Sequence, residues 1–169
     1  MDKIIDKIDK YNIFTNMVPG YLLLIFNIYY FEIGGLNIGE QIIISYFIGQ
    51  TLSRLGSIIG QKILFKFTKE KGVPYDKYII ASEKDSKIEI LMQERNMCRT
   101  LCILFVICII EIIITKIIDI CTINNDIIFI ILLVIFLVIY TISFCKYNKY
   151  ISERVRIQNK RKKTNCSNY

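Results

Sequence analysis

The sequence predicts an all-α integral membrane protein: a four-helix bundle with both termini in the cytoplasm and a cytoplasmic helical segment between spans two and three that continues into the third. Three observations carry this. Hydrophobic residues make up 53% of the 169 positions, yet 22 Lys and Arg and 15 Asp and Glu remain, so charge is concentrated between long apolar runs in the manner of membrane proteins. Four such runs, at residues 12–31, 41–61, 101–120 and 126–145, are each close to the roughly 20 residues that cross a hydrocarbon core of about 30 Å. The five segments outside the runs hold three, zero, nine, zero and eight Lys and Arg in order, an alternation that the positive-inside rule converts into an N-in, C-in topology.

The first ten residues mix acids and bases with no cleavage-site pattern after them, so the first apolar run is expected to stay as a span. Val18-Pro19-Gly20 interrupts it near its start. Pro19 is expected to open the helix, where a missing N–H costs little, the alternative being a kink. Residues 32–40 form a short connection with Gly34, Gly35 and Gly39 and no Lys or Arg, placed outside. The second span, 41–61, carries Ser45, Gln50, Thr51, Ser53, Arg54 and Ser57 among its Ile and Phe residues, so other helices must shield it from lipid. Residues 62–99 are the main soluble segment, with a turn at Gly72-Val73-Pro74. Ser86-Lys87-Ile88-Glu89 matches a capping box, and helical spacing beyond it predicts one helix over 87–121, a cytoplasmic stalk that runs into the third span. The fourth span is the purest, and the tail 146–169 is basic. One membrane domain covering 1–169 is expected, without a separate soluble catalytic domain.

The absence of histidine removes Ser-His-Asp and Cys-His catalysis, His-ligated zinc and histidine proton relays. No set of residues converges for Ser-Lys or paired-carboxylate chemistry, so neither an enzyme nor a bound cofactor or metal is expected. The six cysteines, Cys98, Cys102, Cys108, Cys121, Cys145 and Cys166, have no CxxC spacing and read as small buried hydrophobes.

Four features can carry function. Gly49, Ser53, Gly56 and Gly60 recur every three or four residues, and Gly56 and Gly60 form a GxxxG. Such small residues let helices approach closely, either within one bundle or between copies in a homo-oligomer. Arg54 lies about a third of the way in from the cytoplasmic edge, where a charge costs about 2.5–3.5 kcal/mol on insertion scales. Glu111 sits near the middle of the third span. The two either pair or line an aqueous path, or else Arg54 snorkels while Glu111 is protonated. The tail residues Lys146, Lys149, Arg154, Arg156, Lys160, Arg161, Lys162 and Lys163 suit anionic lipid, at about 1 kcal/mol each, or act only as a retention signal. No nucleic-acid-binding motif accompanies that charge, so nucleic acid is not an expected partner. Finally, residues 62–99 offer a surface for a cytosolic protein partner, or simply a connector over the inner end of the bundle.

Val18-Pro19-Gly20, Ser53-Arg54-Leu55-Gly56-Ser57, the stretch from Tyr75 through Glu89 and Asn96-Met97-Cys98-Arg99-Thr100 together resemble small four-span bacterial membrane proteins of a build found among phage-defence genes. The resemblance covers about a quarter of the chain and assigns no site residue. It implies a multi-pass protein of the bacterial inner membrane, an oligomeric effector or sensor that alters membrane permeability once a cytosolic partner engages it. A small transporter or channel subunit, or a membrane anchor for a cytosolic protein, fits the same composition.

Overall fold

Helix is the regular structure throughout the described residues. The structure, a computed structural model, describes the backbone of residues 2–31, 35–68, 72–118 and 124–166, and the side chains of residues 15–31, 35–68, 72–117 and 127–159. In chain order the elements are α1 (Asp2–Tyr30), α2 (Ile38–Leu55), a π-helical turn (Gly56–Gly60), α3 (Gln61–Phe67), α4 (Tyr75–Ser82), α5 (Ser86–Ile118) and α6 (Asn124–Cys166). Three stretches, Ile38–Phe67, Ser86–Ile117 and Ile127–Asn159, are long and apolar enough to cross a membrane. They correspond to the second, third and fourth expected spans. The first, 12–31, falls inside α1 except for Phe31. The expected outer turn at 121–126 lies largely outside the described residues, as do the side chains of Lys160, Arg161, Lys162 and Lys163.

Three boundaries differ from the sequence expectation, each for a local reason. Pro19 does not open α1 but lies inside it, buried where α1 crosses α2. A proline removes one helical hydrogen bond, and here packing on a neighbouring helix holds the rod together. α2 begins at Ile38, three residues earlier than expected, because Asn37 and Glu40 cap it reciprocally: the Glu40 amide donates to Asn37 Oδ1 at 2.9 Å and the Asn37 amide to Glu40 Oε2 at 3.0 Å. Two otherwise orphan donors are thereby satisfied. α5 starts at Ser86, but its capping side chain is Asp85, which accepts the Lys87 amide at 3.1 Å. A carboxylate both caps and complements the positive end of the helix dipole, which a serine hydroxyl does not.

α5 is the centre of the bundle. Half of its apolar window is buried, against 11% for α6, although both read as apolar spans. Leu23 of α1, Leu52 of α2, Leu101, Leu104, Phe105, Cys108 and Ile112 of α5 and Leu133 of α6 form one core, with Phe105 set against Phe136 and Tyr140. α1 and α2 meet differently, backbone to backbone. A Cβ on Gly20 would collide with the Ser45 carbonyl, and one on Gly49 with the Asn16 carbonyl.

At about 1.5 Å per residue, α5 spans roughly 50 Å, well beyond a 30 Å hydrocarbon core. Its polar first turns and the polar second half of α6 lie side by side and take α4 between them. Ala81, Ile88, Ile151 and Val155 are buried there, with Val73, Tyr78, Leu91 and Met92 around them. Ile151 and Val155 of the basic tail thus turn inward and complete a three-helix stalk.

A candidate polar cavity at the stalk end of the bundle

A cavity of about 290 Å³ opens where α1, α2 and α5 converge. Asn16 comes from α1, Gln50, Ser53 and Arg54 from α2, and Asn96 and Arg99 from α5. No carboxylate is among its described lining residues. The cavity exists because its walls are small or polar. Ser53 stands where a larger residue would fill it, and the Gly49–Asn16 contact pins α1 and α2 together just beside it.

The π turn shapes the floor. The Gln61 amide donates to the Gly56 carbonyl, five residues back, and the wider turn presents Gly56 and Gly60 to α5. A Cβ on Gly56 would meet Arg99 Nε at 3.4 Å, and one on Gly60 would meet Ile103 Cδ1 at 2.9 Å. The glycines thus form a trough for the Arg99 side chain, which runs across them and donates to Gln61 Oε1 at 3.0 Å. Of the two uses expected for Gly49, Ser53, Gly56 and Gly60, packing within one chain is what this geometry displays: Gly49 seats α1, Gly56 and Gly60 seat α5, and Ser53 lines the cavity.

One turn before Arg99, Arg95 is 8% exposed and enclosed by neutral groups. It donates to Asn148 Oδ1 at 3.1 Å and to Met92 Sδ at 2.8 Å, and its guanidinium lies 5.9 Å from the ring centres of both Phe65 and Phe144. Asn148 in turn donates to Thr68 Oγ1 at 3.2 Å. This cage ties the end of α3, the middle of α5 and α6 together through hydrogen bonds and cation–π contacts.

Arg54 and Glu111 are not brought together. Arg54 shares its cavity with Arg99, and Glu111 lies twelve residues further along α5, about 18 Å at the helical rise. Glu111 faces Asn27 of α1, at the level where Phe26 stacks on Phe129. Among the described residues Arg54 makes no ion pair and no side-chain hydrogen bond. Their depths looked compatible because both were placed by counting from span ends, whereas the core sets the register: Leu52 packs among residues 101–108 of α5, which leaves Arg54 below and Glu111 above.

The tail cations divide. Arg154 donates to Asp85 Oδ2 at 2.7 Å, Lys149 lies 3.8 Å from Glu153, the Lys146 ammonium sits over Tyr150, and Arg156 is exposed. Asp85 thus closes the stalk while capping α5, and the bond from Arg154 holds its carboxyl below the ordinary range. Cys98, Cys102 and Cys108 are buried free thiols within the apolar packing, as expected, and no cluster of metal-ligating side chains occurs among the described residues.

Sequence reasoning missed Arg95, Arg99 and Asn148, having counted the two arginines as topogenic charge. The signal was present: Ile88, Met92, Arg95, Arg99 and Cys102 continue one another at spacings of three and four, so the stripe that carries the core also carries both arginines. A scan against protein-family models, a search of curated proteins and a search of solved structures each found no match to this chain.

Proposed function

We propose that this chain is a four-span subunit of a bacterial inner membrane, with both termini in the cytoplasm, that works as an oligomer in a defence or stress system and alters membrane permeability when a cytosolic partner engages residues 62–99. The observation that carries the reading is the Arg54 and Arg99 cavity. A chain that needed only to sit in lipid would fill such a space with apolar side chains, because polar groups at that level are costly. Retaining a polar, cationic hollow among α1, α2 and α5 supports a role for water or solute there. The stalk supports the regulatory half of the proposal, since α4, the first turns of α5 and the second half of α6 make one unit, and α5 continues from it to the helices that frame the cavity. The role is non-enzymatic, consistent with a sequence that lacks histidine.

The test is membrane potential and viability in bacteria that express the wild-type chain, Arg54→Ala and Glu111→Ala singly, with membrane insertion verified for each and the neighbouring genes supplied to provide a partner. Depolarisation by the wild type, lost in Arg54→Ala and retained in Glu111→Ala, is expected. No depolarisation under any of these conditions refutes the permeability role. A second reading, an anchor for a cytosolic protein, is favoured by a groove of about 820 Å³ on the stalk between α5 and α6, where Ile90, Leu91, Tyr150 and Ile157 stand beside the charged Asp85, Lys87, Glu153 and Arg154. It predicts an unchanged potential together with loss of partner capture when Ile90 or Ile157 becomes charged.

A further inference from the structure

We infer that the cavity between α1, α2 and α5 is a binding site for a phosphate-class anion, with Arg54 as its primary ligand. The inference deepens the permeability reading by naming the ligand class of the same cavity, and rests on that reading only in taking the cavity as the functional site.

Three features specify the ligand. The first is charge: the Arg54 guanidinium reaches a hollow whose described lining contains no carboxylate, so the site favours an anion. The second is donor chemistry. Asn16, Gln50, Ser53 and Asn96 line it from three helices with amide and hydroxyl groups, one Gln50 N–H being taken by the Tyr46 hydroxyl at 3.1 Å, and such groups suit a ligand with several acceptor oxygens on one centre. A guanidinium offers paired N–H groups that match adjacent phosphate oxygens. The third is size. About 290 Å³ is near the lower end of small-molecule sites, roomy enough for a phosphate ester with its substituent and too polar for an acyl chain.

Geometry assigns different jobs to the two arginines. Arg99 is held in the glycine trough and already donates to Gln61, so it is committed to joining α5 to α3. Arg54 is exposed into the hollow, without a partner among the described residues, and its donors are the ones available to a ligand. The shared chemistry has two sources, a lipid headgroup entering sideways from the bilayer and a soluble phosphate entering from the stalk end.

The experiment uses the purified full-length chain in neutral detergent, in two arms. One titrates inorganic phosphate by calorimetry; the other adds phosphatidylglycerol against a phosphatidylcholine background and counts bound lipid by native mass spectrometry. Each arm is run on the wild type, Arg54→Gln, Arg54→Lys, Ser53→Leu and, as a distant charge control, Lys77→Gln, an exposed residue of α4. Saturable one-to-one binding is expected in at least one arm, and the arm that shows it names the source. Arg54→Gln and Ser53→Leu are each expected to weaken it about tenfold or more, as loss of a charge-assisted hydrogen bond or of the space should. Arg54→Lys keeps measurable binding and so excludes misfolding as the cause, and Lys77→Gln binds like the wild type. Absence of binding in both arms overturns the inference. So does unchanged binding in Arg54→Gln or in Ser53→Leu, or an equal loss in Lys77→Gln, which would mean general surface attraction. A chain that binds phosphate yet leaves the membrane potential unchanged sinks the permeability reading alone, and one that depolarises cells without binding phosphate sinks this one alone.

Discussion

The contact between α1 and α2 and the contacts that build the stalk use different residues, a difference that the proposed four-span topology explains by placing them in different solvents. α1 and α2 touch where Gly20 meets Ser45 and Gly49 meets Asn16, with main-chain atoms doing the packing. The stalk is joined by Ile88, Ile151 and Val155 around Ala81. In hydrocarbon, covering an isoleucine with another helix rather than with lipid gains little, so association depends on how closely backbones approach. In water the same burial removes apolar surface at about 25 cal/mol per Å². The small residues of the bundle and the branched ones of the stalk are two answers to one question, posed on either side of an interface.

The largest effect should come from breaking the backbone contact. In Gly49→Leu the new side chain meets the carbonyl of Asn16, which cannot rotate away, so α1 must separate from α2. The expected cost is about 3 kcal/mol or more, the upper end for overpacking, and the cavity beside it should open. A thermal melt in detergent, with a cysteine-crosslinking readout across α1 and α2, measures both. Gly35→Leu is the matched control: nothing lies within 4 Å of its Cβ, and its positive φ of 95° charges only a local strain. If Gly49→Leu melts no earlier than that control, the backbone contact does not hold the helices.

Next in size is the stalk. Ile88→Ala or Ile151→Ala removes a fully buried side chain and should cost roughly 2–5 kcal/mol. The difference from the bundle lies in where the damage appears. Truncating the stalk should expose residues 75–90 to protease while α1 and α2 stay associated, whereas Gly49→Leu should do the reverse. Parallel losses in both regions from either variant would show that stalk and bundle unfold as one unit.

How much of this was legible follows the same division. The three spans verified as long apolar helices were readable because uninterrupted runs of Ile, Leu and Phe carry their own length signal. The stalk helix was readable through the capping signal near Ser86 and the spacing of Ile88 and Leu91. What the spacing of single helices cannot supply is the register between helices. Pairing of Arg54 with Glu111 therefore stayed open beside its alternatives, and Arg95 and Arg99 counted only as topogenic charge on the predicted stalk helix. Nor does composition distinguish a buried span from an exposed one: α6 is the more apolar, yet α5 is the more buried, because the central helix must carry the polar groups that bind its neighbours. The π turn left one trace, two glycines four apart. That pattern also signals ordinary close packing, and only the position of Arg99 separates the two.

The smallest expected effect isolates the electrostatic part of the stalk. Asp85 has two tasks, capping α5 through the Lys87 amide and pairing with Arg154, and two substitutions separate them. Asp85→Asn keeps a capping oxygen and loses the charge, so it should cost at most about 1 kcal/mol, since the Arg154 side chain is 39% exposed and solvent and salt screen the pair. Asp85→Ala loses both, adding about 1 kcal/mol for the cap. The pH dependence has a definite sign. The Asp85 carboxyl is held below its ordinary range, chiefly by the hydrogen bond from Arg154, so its contribution is fully present above the unfolded value of about 3.9 and disappears as pH falls through the lower folded value. Chemical denaturation of the stalk should therefore separate the wild type from Asp85→Asn by a constant amount near neutral pH, with the gap closing only below about pH 4. A gap that persists in acid, or that ignores high salt, would mean that Asp85 acts through shape and capping alone, and the stalk would then be held, like the bundle, by packing rather than by charge.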